Sequence, residues 1–88
     1  MLVESSVVSG VDGATRWLLG DQLHRDDGPA IEFMDGTLMW FQHGLFHRVD
    51  GAAIEWAPPN LPWGWFIHGV EYSEDDYNLL MFMNCDIC

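Results

Sequence analysis

Set against itself with a shift of 23 residues, the chain falls into register over most of its length. Asp12-Gly13 lands on Asp35-Gly36, Trp17 on Trp40, His24-Arg25 on His47-Arg48, Asp27-Gly28 on Asp50-Gly51, and Ala30-Ile31-Glu32 on Ala53-Ile54-Glu55. A shift of 25 extends the pattern, placing Trp40-Phe41 on Trp65-Phe66, His43-Gly44 on His68-Gly69 and Asp50 on Asp75. The two extra residues fall in the proline-rich stretch from Ala57 to Pro62. A unit this short cannot bury its own apolar face, so neighbours must stack and the end units must act as caps. Residues 1–88 are too few for a second core and read as one domain. The repeat divides it into a truncated unit (1–13), a first full unit (14–36), a second (37–61), a partial third (62–72), a capping helix (73–84) and a tail (85–88).

Within each unit, a run such as Thr37 to Gln42 is rich in residues that suit a pleated, half-buried surface. Gly20-Asp21 or His43-Gly44 then supplies a two-residue turn tolerant of positive φ, and a short return strand such as Leu45 to Arg48 closes a hairpin. The corner Asp27-Gly28-Pro29-Ala30, or Asp50-Gly51-Ala52-Ala53, turns the chain into a third extended piece. The expected fold is mainly β, a meandering antiparallel sheet of about three hairpin repeats with one short C-terminal helix. Alternation along the central strand sends Leu38 and Trp40 to one face and Met39 and Phe41 to the other. One face is the core; the other needs a cover, from the C-terminal segment or from another chain. Open sheet edges and apolar faces also predict homo-oligomer formation.

The third unit departs from the pattern where His-Arg and the glycine corner would stand. Ser73 followed by Glu74, Asp75 and Asp76 is a helix start, with a hydroxyl to cap it and acids against the positive end of the dipole. The helix is predicted from Glu74 to about Asn84. From Leu79 to Met83 it is apolar on every side, as in a helix packed on a sheet or inserted into a partner.

Charge limits what the chain can bind. Fourteen Asp and Glu stand against three Arg and no Lys, a formal net charge of -11. Three arginines cannot supply the basic stripe that displaces counterions from phosphates, which excludes direct nucleic-acid binding. The strongly negative field instead favours a basic protein surface, such as one that normally holds nucleic acid. An acid at Glu4, no basic start and no run of ~18 apolar residues point to a cytoplasmic protein without a membrane partner.

The stretch Leu23 to Phe33, LHRDDGPAIEF, has the residue types of a catalytic site. Chemistry needs one asymmetric constellation in a pocket, whereas His24, Arg25, Asp27 and Gly28 recur as His47, Arg48, Asp50 and Gly51. Repetition assigns these residues to architecture: an arginine bridging its turn to Asp27 or Asp50, with His24 or His47 bonding neighbouring backbone. The chain is expected to be neither an enzyme nor a metal or cofactor protein. The acids lack the spacing of a calcium loop, and Cys85 and Cys88 alone make half a zinc site. Trp17, Trp40 and Trp56 are expected in the core, with Trp63 and Trp65, beside the proline loop, exposed.

The matching residues Trp17, Gly20, Leu23-His24-Arg25 and Asp27-Gly28-Pro29-Ala30, followed by Trp40-Phe41, His43-Gly44, Phe46-His47-Arg48 and Asp50-Gly51-Ala52-Ala53, carry a resemblance. The pattern resembles bacterial and phage repeat proteins built on units similar to WYxNGxLHRxDGPA, which are in turn similar to MORN-type β-hairpin repeats. It covers residues 12–72, with Ala52 in place of the proline. The resemblance implies an extended β-repeat architecture used for interaction, with no catalytic activity to carry over. Size, charge and resemblance together give the expected function: a non-enzymatic acidic inhibitor, phage-type and anti-CRISPR-like. It would occupy the basic nucleic-acid-binding surface of a host protein in the bacterial cytoplasm. The expected partner-binding residues are Glu74, Asp75 and Asp76, helped by Glu71, Asp26, Asp35, Trp63 and Trp65. The alternative is a binder of small nucleotide-like anions, which would rest on Arg25, Arg48 and the tryptophans.

Overall fold

The computed structural model describes residues 6–83. The strands are β1 (Ser6–Ser9), β2 (Thr15–Leu19), β3 (Gln22–Leu23), β4 (Ile31–Glu32), β5 (Leu38–Met39), β6 (Phe41–Gln42), β7 (Leu45–Phe46), β8 (Ile54–Glu55), β9 (Trp65–Ile67) and β10 (Val70–Tyr72), followed by the helix α1 (Glu74–Met83). All strand pairings are antiparallel. The main sheet runs β1-β2-β4-β5-β8 with β3 joined to β2, and Gly64 adds a bridge to Ile54. The β6-β7 and β9-β10 hairpins form sheets of their own.

The run from Thr37 to Gln42, expected as one strand, is divided at Trp40. The Trp40 N–H donates to the Ala53 carbonyl of the main ladder, while its own carbonyl accepts from His47 in the hairpin. Trp40 is thus a joint whose two backbone groups are claimed by different neighbours. The hairpin turns follow the sequence reading. His43 and Gly44 have φ of 51° and 81°, and His68 and Gly69 have 48° and 81°, the paired positive values of a type I′ turn. Each turn also ties its unit to the one before, because Gly44 N–H donates to Leu23 O and Gly69 N–H to Phe46 O, both at 2.8 Å.

Ala14, Ala30, Ile31 and Phe41 form the buried cluster, with Leu23, Phe33, Met39 and Phe46 packed against it. Met39 and Phe41 therefore lie on the core side, as alternation required. Ala30 and Ala53 are fully buried and sit between ladder hydrogen bonds to the strands on either side, positions where a larger side chain has no room. The tryptophans depart from expectation: Trp17, Trp40, Trp56 and Trp65 are half-buried and only Trp63 is exposed. The molecule measures 40 × 38 × 17 Å, and a slab that thin cannot enclose rings of this size on both sides of a sheet.

α1 starts as the sequence requires, with Asp76 N–H donating to Ser73 Oγ at 3.1 Å. Tyr77 is its buried residue, while Leu79, Phe82 and Met83 are exposed. Asn84 and the Cys85/Cys88 tail lie outside the described residues. Among the described residues no helix is long and apolar enough to cross a membrane.

Candidate functional site

The two repeat corners are built alike. Arg25 Nε donates to Asp27 at 3.0 Å, and its Nη1 reaches the Pro29 carbonyl at 3.1 Å and Glu32 at 3.3 Å. Arg48 Nε donates to Asp50 at 2.8 Å, and its Nη1 reaches the Ala52 carbonyl at 2.9 Å and Glu55 at 2.5 Å. The guanidinium carbons lie 3.9 Å from the Trp17 ring centre and 3.7 Å from that of Trp40. These tryptophans are half-buried because a guanidinium covers each, a cation–π contact worth ~0.5–2 kcal/mol depending on exposure. The Trp40 ring is thus covered by Arg48 of its own repeat unit, not by the C-terminal segment or another chain as the sequence suggested. A Cβ at Gly28 or Gly51 would stand 3.1 or 2.8 Å from the guanidinium carbon, so the corner glycines leave the space the arginine occupies. The Arg-Asp pairs were legible in the sequence; the roles of Glu32, Glu55 and the two rings were not.

The histidines link units through backbone. His24 Nδ1 accepts the His43 N–H at 3.0 Å, which leaves the ring proton on Nε2, facing Asp26 at 3.0 Å. His47 Nδ1 accepts the His68 N–H at 2.9 Å, and the two rings stack with centres 4.2 Å apart. Burial, and then the neighbouring His68, hold the His47 pKa below the ordinary histidine value. The unfolded chain therefore takes up this proton more readily than the folded one. Stability from neutral His47 is present above about pH 6.5 and is lost as pH falls toward the lowered folded value. A His47→Asn variant keeps an acceptor at the same branch position without titrating. Urea midpoints measured at pH 7.5 and 5.5 should fall further in the wild type than in this variant. Equal falls would remove His47 from the pH response.

The third unit has Ser73 where Arg48 would repeat and Ile67 where Gln42 would repeat. In the first corner, Gln42 Nε2 donates to the Arg25 carbonyl at 2.9 Å, a bond Ile67 cannot supply to Arg48. Tyr77 of α1 takes over the backbone bond, and its ring meets Trp65 at a tilt without replacing the flat guanidinium. Its hydroxyl donates to the Arg48 carbonyl at 2.5 Å and accepts the Gly51 N–H at 3.2 Å, while its ring lies 5.0 Å from that of Trp65. The sequence reading missed Tyr77, although the loss of Gln and Arg at aligned positions was a usable signal.

The expected partner-binding residues separate into three places. Trp63, Trp65, Glu71 and Glu74 converge with Pro62, Tyr72 and Ser73 on an open cleft of about 540 Å³. Trp63 is 49 % exposed, whereas Trp65, expected to be exposed, is half-buried against Tyr77. Asp75 and Asp76 follow on the same turn of α1, and Asp76 borders an apolar recess with Tyr72, Leu79, Leu80 and Met83. Asp26 lies apart at the first corner. Asp35 belongs to a turn, where the Thr37 N–H at 2.9 Å and then the Thr37 hydroxyl hold its carboxyl below the usual range.

Arg25 and Arg48 line a second cleft, of about 570 Å³, together with Asp26, Asp27 and Asp50. Three carboxylates against two engaged guanidiniums make it a poor seat for an anion. Among the described residues no group of three or more His, Cys, Asp or Glu is placed to hold a metal ion. Comparison of the chain with protein-family models, with curated proteins and with solved structures found no match in any of the three.

Proposed function

We propose that the protein is a non-enzymatic acidic interaction module whose partner is a basic, nucleic-acid-binding protein. The reading extends to a phage-type inhibitor of the anti-CRISPR kind, acting in the bacterial cytoplasm. One observation carries it. The chain's three Lys and Arg side chains are all engaged internally, Arg16 by Asp12 and Arg25 and Arg48 by their corners, while Glu71 and Glu74 remain exposed in the cleft of Trp63, and Asp75 and Asp76 are exposed on the first turn of α1. No side-chain cation is left within the chain to neutralise that edge. A basic partner gains both the steering of the negative field and an apolar surface to cover. The same engagement of Arg25 and Arg48 counts against the anion-binding alternative.

The test is capture from nuclease-treated bacterial extract, with a salt-gradient wash and with elution by added nucleic acid. The wild-type chain is compared with a Glu74→Gln, Asp75→Asn, Asp76→Asn variant. The expected result is a basic protein that wild type retains, that nucleic acid displaces, and that the amide variant loses at least about tenfold, as for removal of several steering charges. Retention equal in both chains, or indifferent to nucleic acid, would contradict the proposal.

A further inference from the structure

We infer that the cleft of Trp63, Trp65, Tyr72, Glu71 and Glu74 is a receptor for an arginine side chain of the partner. The inference rests on the acidic-module reading and specifies its chemistry. Twice in this chain a tryptophan receives a guanidinium with carboxylates at its edge: Arg25 on Trp17 with Asp27 and Glu32, and Arg48 on Trp40 with Asp50 and Glu55. The repeat supplies the third tryptophan, Trp65, but puts Ser73 where its arginine would stand. Tyr77 meets Trp65 at a tilt of 52° rather than lying flat on it, and Trp65 still lines the open cleft. Tyr72 pairs with Trp65 across the hairpin, and the same cleft is lined by Trp63, which offers a further π face, and by Glu71 and Glu74, which offer carboxylates.

A tryptophan face and carboxylates, the kinds of group that hold arginine in the two corners, thus share one cleft here, with the carboxylates supplied from other positions of the repeat. The remaining arginine of the chain, Arg16, is paired with Asp12 at 3.0 Å on the far side of the repeat array. No arginine of residues 1–88 is left to fill the cleft, and the occupant we assign is an arginine of the partner. Arginine fits better than lysine because its flat guanidinium can lie on a ring while its edge donates to two carboxylates.

The experiment titrates the full chain with N-acetyl-Gly-Arg-Gly amide and with its lysine and citrulline counterparts, following the tryptophan indole N–H signals by NMR. The arginine peptide should shift Trp63 and Trp65 saturably, bind at least about fivefold more tightly than the lysine peptide, and leave Trp17 and Trp40 unmoved. Citrulline, which has the shape without the charge, should not bind. A Glu71→Gln, Glu74→Gln variant should lose about tenfold in affinity while its Trp17 and Trp40 signals confirm an intact fold.

Equal binding of the arginine and lysine peptides, or shifts of Trp17 and Trp40 as large as those of Trp63 and Trp65, would overturn the arginine receptor and leave the acidic module standing. Binding of citrulline would overturn it as well, by showing an aromatic cleft indifferent to charge. If no peptide binds while extract capture still gives a charge-dependent partner, this inference alone fails; if capture fails too, both do.

Discussion

Tyr77→Ala should be the most damaging single substitution in the described chain, lowering stability by about 3–5 kcal/mol through loss of a buried aromatic ring. Tyr77 is 2 % exposed, packs on Trp65 and closes the backbone of the second corner. For a small domain, with a total stability on the order of 5–15 kcal/mol, that loss takes the chain close to its unfolding threshold. Tyr77→Phe separates the two contributions. It keeps the ring but leaves the Arg48 carbonyl and the Gly51 N–H without their partner, at a cost of about 1–3 kcal/mol. Urea denaturation of the three chains measures both. A phenylalanine variant as stable as wild type would show that the hydroxyl is not what closes the corner.

Arg48→Ala should cost about 2–3 kcal/mol, combining the cation–π contact with Trp40, the charged bonds to Asp50 and Glu55, and the bond to the Ala52 carbonyl. In a domain of this size the melting temperature should fall by roughly 4–8 °C per kcal/mol. Arg25→Ala should cost less. Its acidic partner Glu32 is 45 % exposed, against 25 % for Glu55, and solvent screens the exposed pair more strongly. Arg48→Lys should recover under half of the loss, since an ammonium cannot lie flat on Trp40 while bonding two carboxylates and a carbonyl. Thermal melts of the four chains check the order: wild type, then Arg25→Ala, then Arg48→Lys and Arg48→Ala. Full rescue by lysine would mean that charge alone, without the planar fork, holds the corner.

Both predictions concern contacts of different sequence range, and that difference explains what could be read in advance. Arg25 and Asp27 are two residues apart, as are Arg48 and Asp50, and the Ser73 cap lies three residues before Asp76. Pairs so close have their geometry set by one turn of backbone, which residue type and spacing describe well. The same holds for the paired positive φ values at His43-Gly44 and His68-Gly69. Tyr77 lies 29 residues from Arg48, and no spacing rule connects them.

The sequence by itself therefore determined the repeat, its antiparallel hairpins, the arginine corners and the place where the helix begins, because each depends on local backbone conformation repeated at a fixed period. Tertiary structure alone decided that Trp40 divides its strand, that guanidiniums rather than a core cover Trp17 and Trp40, and that Tyr77 closes the last corner. It also decided that Trp63, Trp65, Glu71 and Glu74 share one cleft while Asp26 and Asp35 lie elsewhere. The physical reason is that stacking sets distances between units. Which side chains meet across that stack depends on the thickness of a 17 Å slab and the direction of a capping helix, neither of which is written in the spacing of residues along the chain.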